Sequence, residues 1–228
     1  MTIIGHGLTI GWLGRKLGLA AGRQRGLLIV GASQWTIALA KSLLERKVPV
    51  LIADSDWNRL KPARLAGVPV HFGEVLSDAS EHTLDLSEIG VLLAATDNDA
   101  YNALVCMHFT TELGRDWVFQ LPMREIPVAQ GQALSHTSRG HLIMSETETF
   151  HGLLHRLQTG WTFTATAISE DYSYLKFRTE HVSAQPVLLL RGKRELELEF
   201  KLADSPIQPK AGDTLVSFGP PRTATAAQ

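Results

Sequence analysis

The residues best suited to chemistry follow a buried-looking run, LLIV, that breaks at Gly31. Gly31, Ala32, Ser33, Gln34, Trp35 and Thr36 occupy the place of a phosphate-binding turn between a strand and a helix. In the pattern G-x-G-x-x-G the first glycine makes the turn, the second admits a pyrophosphate to the backbone, and the third lets helix pack on strand. Those three positions here hold Gly31, Ser33 and Thr36, so only the turn glycine is kept. The hydroxyls of Ser33 and Thr36 suit a phosphate. Their side chains, with Trp35 beside them, equally fill the room that a pyrophosphate needs.

Asp54 follows Gly31 by 23 positions, at the end of a second apolar run, where a strand-end carboxylate accepts hydrogen bonds from a ribose. The alternative is a helix cap, a role assigned to Asp56 once Ser55 is passed. No arginine follows immediately to meet the 2′-phosphate of NADP. Thr96, Asp97 and Asn98 close a fourth apolar run, at the strand end where open α/β sheets bind ligands; an Asx turn and helix cap explain them as well.

Other constellations are bland. His151 and His155 share the spacing of a zinc-protease helix, but Gly152 stands where the catalytic Glu would be, which makes them surface histidines. Ser33 lacks the second glycine of a nucleophile elbow, and no Walker loop is present. Cys106 falls inside an apolar helical pattern as an inert buried thiol, and a single cysteine excludes an internal disulfide and a cysteine-based zinc site.

The elements that must position these residues follow from periodicity. From 25 to about 120 strands alternate with helices: strands at 27–31, 48–53, 68–72, 89–95 and 117–121, helices at 34–46, 57–66, near 81–86 and at 100–113. That alternation predicts a Rossmann-like, doubly wound parallel sheet. A looser joining region at 122–139 holds a helix around 126–134. A helix at 146–158 carries the apolar stripe Phe150, Leu153, Leu154 and Leu157, which must be buried on its own domain or on a second copy. After Gly160 the period changes to two, with short strands at 161–168, 174–178, 187–191, 196–200 and 214–218. The expected division is therefore an arm at 1–24, an α/β domain at 25–140, a linking helix at 141–159, a small β-rich (α+β) C-terminal domain at 160–220, and a disordered tail at 221–228.

The 228 residues carry a formal charge of −1, which argues against a nucleic-acid partner. No acidic residue precedes Glu45, while Arg15, Lys16, Arg23 and Arg25 cluster near the start. This basic stretch after the apolar 1–13 matches the positive cytoplasmic flank of membrane helices. The apolar part is too short to span a bilayer, and its charges lie on the wrong side for a signal peptide.

Residues 25–121 resemble an RCK (TrkA-N) domain: the turn glycine, Asp54, Gly73-Glu74 where the family usually has Gly-Asp, and Thr96-Asp97-Asn98-Asp99 with Asn102. Residues 160–220 resemble its β-rich TrkA-C-like companion, notably Pro209-Lys210-Ala211-Gly212-Asp213-Thr214-Leu215. The arm, with Gly7-Leu8-Thr9, Gly11, Leu13 and Arg15-Lys16-Leu17-Gly18-Leu19, is similar to the end of the last membrane helix of bacterial sodium/proton antiporters. The resemblance implies a cytosolic, non-catalytic regulatory domain of a cation:proton antiporter. Such a domain dimerises, sits at the cytoplasmic side of the membrane and gates sodium or potassium transport. It also implies a nucleotide ligand, NAD or an AMP-like adenine nucleotide, with Glu74 beside the base. The competing expectation is a small NAD-dependent oxidoreductase, for which the β-rich half offers no proton-transfer constellation.

Overall fold

Every residue of β1 (Gly26–Val30) is buried, because the strand has a core on each side. Leu27 and Ile29 face one apolar cluster, Leu28 and Val30 another. A strand covered on both faces reads as an unbroken apolar run rather than an alternation. The computed structural model describes residues 26–122, 139–145, 148–192 and 197–221. The arm and its basic cluster, the helix expected at 126–134, the first two residues of the helix expected from 146 and the tail beyond Pro221 lie outside the described residues.

β1 pairs in parallel with β2 (Val50–Asp54) on one side and β4 (Ile89–Ala94) on the other. β3 (Val70–Phe72) lies outside β2, β5 (Val118–Gln120) outside β4, and β6 (His141–Leu142) outside β5, giving the order β3-β2-β1-β4-β5-β6. α1 (Gln34–Leu44) and α2 (Trp57–Leu65) pack on the Leu27 face through Leu39, Ala40, Leu43, Leu60 and Ala63. α4 (Asp99–Leu113) packs on the Leu28 face through Val105, Cys106 and Phe109. Helices on both faces of a parallel sheet make the doubly wound architecture that the alternation implied. The short α3 (Asp78–Thr83) starts earlier than expected, because Ser77 accepts the amide of Ser80 and caps it there.

Residues 141–159 do not form one linking helix. His141–Leu142 extends the first sheet as β6, and α5 (Phe150–Gln158) begins only after Thr149, whose hydroxyl accepts the amide of Gly152. A strand of two residues, one of them histidine, has no periodicity from which to be read. Most of the stripe on α5 is covered by its own chain: Leu153 is fully buried, and Leu154 and Leu157 pack on the same core, with Phe150 half-buried. It therefore supplies no reason for a second copy.

The second sheet is separate and antiparallel, in the order β7 (Thr162–Ala167), β10 (Thr214–Gly219), β8 (Gln185–Arg191), β9 (Glu197–Phe200). Along β9 burial alternates, as the Glu197-Leu198-Glu199-Phe200 pattern required. The strand expected at 174–178 is instead a helix, α6 (Tyr174–Glu180). Ser173 caps it, and Tyr174, Phe177 and His181 line one side at helical spacing. Aromatic residues with high β propensity gave the wrong period there.

The two sheets share one core. Val216, Phe218, Leu188, Leu190, Leu198 and Phe200 belong to the same apolar cluster as Leu27, Ile29 and Leu39. Trp35 on α1 joins them, 1% exposed, with its ring edge-on to Phe163 at 5.3 Å and to Phe218 at 6.2 Å. A second seam lies at the sheet edge. There Ile143 bridges Leu202, Ala203 N donates to Leu142 O at 2.8 Å, and Met144 N donates to Lys201 O at 2.6 Å. Behind α5 the carboxylate of Glu148 accepts from Arg156 and from Gln185 Nε2, tying that helix to β8. Trp35→Ala is expected to cost about 3–5 kcal/mol, with both sheets losing stability in one transition. Coincident denaturation curves by circular dichroism and tryptophan fluorescence test this; a first sheet that melts unchanged would refute the shared core.

Candidate functional site

The turn after β1 is fixed by its neighbours. Gly31 N donates to Ala53 O at 2.9 Å, and Ala95 N donates to Val30 O at 2.8 Å, so β2 and β4 both hold the end of β1. Gly31 has φ +108°, and a Cβ there would stand 2.8 Å from both Ala95 O and Thr96 Cγ2. Only glycine fits. On the β4 side the fully buried Asn102 clamps Thr96. Its Oδ1 accepts Thr96 N at 3.0 Å and Thr96 Oγ1 at 2.6 Å, and its Nδ2 donates to Thr96 O at 3.1 Å.

The amides at 32, 33 and 36 are taken by side chains of the protein. Ser33 is the N-cap of α1 in a reciprocal capping box: Ser33 N donates to Thr36 Oγ1 at 2.8 Å, and Thr36 N donates to Ser33 Oγ at 3.2 Å. Ala32 N donates to Asp54 Oδ2 at 2.8 Å, and Asp56 N donates to Asp54 Oδ1 at 2.8 Å. The amides at positions 31, 32, 33 and 36 are thus satisfied within the protein. Asp54 helps hold the turn as well as facing the cleft. Asp56 caps α2 as expected, its Oδ1 accepting Asn58 N at 2.8 Å.

Above this floor lies an open cleft of about 290 Å³, lined by Gly31, Asp54, Ser55, Gly73, Glu74, Thr96, Asp97 and Asn98, together with Val30, Ala53, Asp56, Arg59, Val75 and Tyr101. A cleft of this size is at the small end of ligand pockets. Eight of the thirteen expected positions therefore meet at one place. Ala32, Ser33, Gln34, Trp35 and Thr36 do not line it: Trp35 points into the shared core, Thr36 is fully buried, and Gln34 is exposed on α1.

Two lining residues had no signal in the sequence, because long-range contacts bring them in. The Tyr101 hydroxyl donates to Glu74 Oε1 across the cleft, and burial with the neighbouring Glu74 carboxylate pushes that phenol well above its ordinary pKa. It stays neutral and donating at physiological pH. Arg59, on the first turn of α2, reaches Asp97 Oδ1 and Asp56 Oδ2 at 3.8 Å each. Among the described lining residues Asp54, Asp56, Glu74 and Asp97 are acidic and Arg59 is basic.

The other candidates keep their bland roles. His151 and His155 are exposed on α5, and no cluster of three or more metal-ligating side chains occurs among the described residues. Cys106 is buried beneath Gly140, and burial pushes its thiol up to about 12. It should resist alkylation in the native protein at pH 8 and react only in denaturant; a fast native reaction would contradict the packing.

Fold and cleft together define a Rossmann-like α/β unit with its cleft at the carboxyl ends of the strands, carrying a second, antiparallel sheet. Residues 27–119, from β1 into β5, match the family described as the TrkA-N domain. A crystal structure of the GsuK RCK domain aligns with 87% of this chain and 44% of its own, at 14% identity and a TM-score of 0.43. This chain thus spans less than half the length of that one. No curated protein matches the sequence. Among the described residues no helix is long and apolar enough to cross a membrane.

Gly31→Ala should cost about 2–5 kcal/mol through the forced left-handed backbone and the clash with Ala95. Denaturant titration measures it. A loss no larger than that of a surface Gly→Ala change would show that the β1–α1 turn is not fixed as described.

Proposed function

We propose that this chain is a cytoplasmic ligand-binding regulatory module of a cation transport system, and that its ligand is an adenine nucleotide or NAD. The observation that carries the reading is Asp54, a carboxylate at the carboxyl end of β2 on the wall of a nucleoside-sized cleft, within the stretch that matches TrkA-N domains. Each Asp54 oxygen holds one backbone amide and keeps a lone pair for a ribose hydroxyl. Glu74 and Tyr101, tied together by a hydrogen bond in the cleft lining, support a base beside them in this reading. The arm resembling an antiporter helix supports a monovalent cation:proton antiporter, for sodium or potassium, as the partner, fused or encoded nearby. It also supports a location at the cytoplasmic side of the membrane. In this reading residues 25–140 carry the ligand, 160–220 are the companion unit, and two copies pair. A regulator needs only a ligand that binds one state of the assembly better than another, which a non-catalytic cleft supplies.

Because the turn is capped by its own side chains, AMP should bind at least as well as NAD, and both weakly. Asp54→Ala should weaken either by about 1.5–3 kcal/mol, read by isothermal calorimetry. The variant's melting curve separates ligand loss from disturbance of the turn. Ser33→Gly opens the cap and should improve NAD more than AMP. Tight NAD binding by the unmodified protein would overturn the assignment of the turn, and absence of any nucleotide binding would overturn the ligand class. A membrane-transporter reading frame fused to or beside the coding sequence is the expected genomic context; its absence would count against the transport role.

A further inference from the structure

Resting on the nucleoside reading of the cleft, we propose that Arg59 is the phosphate contact of this site, and that the site is built for a nucleoside carrying a single phosphate. The usual receiver of phosphate in this fold is the helix start after β1. Here Gly31 N, Ala32 N, Ser33 N and Thr36 N are all donated within the protein, to Ala53 O, Asp54 Oδ2, Thr36 Oγ1 and Ser33 Oγ. Residues 32–36 do not line the cleft, so a phosphate inside it takes its donor from the residues that do. Among the described lining residues the basic side chain is Arg59.

Arg59 is held in a way that leaves it available. Its contacts to Asp56 and Asp97 are 3.8 Å long, whereas a charge-assisted hydrogen bond is about 2.7–2.9 Å. Its side chain is 46% exposed, and such surface pairs contribute little to stability. Turning the guanidinium from two loose carboxylates to one phosphate gives it a bidentate partner at small cost. The same surroundings limit the count. A second phosphate has no further cation among the described lining residues and meets the carboxylates of Asp54, Asp56 and Asp97. One guanidinium supports one phosphate.

Calorimetry with adenosine, AMP and ADP, in buffer with chelator and no divalent cation, tests the assignment on the full chain. The expected result is AMP bound about tenfold tighter than adenosine, the gain of one charge-assisted contact, with ADP no tighter than AMP. Arg59→Ala should erase the preference for AMP over adenosine, Arg59→Lys should keep part of it, and Asp97→Asn should enlarge it. Melting curves check that the variants remain folded. AMP binding no better than adenosine, ADP binding tighter than AMP, or a preference that survives Arg59→Ala would each overturn the role of Arg59 while leaving the nucleoside cleft standing. If adenosine itself fails to bind, the nucleoside reading falls and this one with it.

Discussion

The absence of one carbon atom at position 31 constrains more of this structure than any contact does. β1 ends between β2 and β4, bonded to both, and the chain must leave the sheet at that level to start α1. The exit takes a left-handed φ of +108° in a space where a Cβ would lie 2.8 Å from the Ala95 carbonyl just past β4. Everything above the sheet takes its position from that exit. Ser33 falls where it can cap α1, Ala32 N falls within reach of Asp54, and Thr96 packs against the turn under the clamp of Asn102. The cleft floor is a set of short loops whose polar groups are bonded to one another, so its shape is preorganised rather than assembled by a ligand.

The same helix that begins at the cleft makes the joint between the two sheets. Ser33 and Thr36 serve the turn, while Trp35 between them points the other way, into the aromatic cluster with Phe163 and Phe218. Its indole nitrogen is buried without a hydrogen-bond partner among the described residues, which marks the side chain as one selected for volume. Interiors at this density transmit displacement instead of absorbing it. A rigid-body shift of the start of α1 is therefore shared with β7 and β10.

The large, doubly buried features were legible in the sequence. The runs that became β1, β2 and β4, the turn glycine, the strand-end Asp54 and the cap at Asp56 each depend on neighbours close in sequence or on a two-sided core. What was not legible depends on distance. Tyr101 meets Glu74 across 27 residues, and Arg59 meets Asp97 from another helix; no local pattern announces either. β6 exists because β5 and the 201–203 segment flank it, not because His141 and Leu142 favour a strand. Trp35 was legible as bulk beside the loop, but its direction was not, since a residue one turn into a helix faces sheet or cleft according to where the helix lies. The helix at Tyr174–Glu180 reads as a strand because Tyr174 and Phe177 have high β propensity, although their spacing of three is helical.

The loss of two fingerprint glycines and the gain of a capping box are one change in chemistry, not two. A glycine at position 33 would leave the first turn of α1 short of an acceptor and open to an anion; serine there supplies the acceptor internally. With the amides at 31, 32, 33 and 36 satisfied from within, the attraction that usually draws a pyrophosphate to this point is reduced. The carboxylates around it then dominate the local field. Asp54, Asp56, Glu74 and Asp97 penalise negative charge on a ligand beyond what Arg59 offsets, while the free lone pairs of Asp54 and the Glu74–Tyr101 pair retain their capacity to bind neutral, hydroxyl-rich groups. Selectivity in such a cleft comes from what it repels as much as from what it holds, which is why the proposed ligand is read from its nucleoside end.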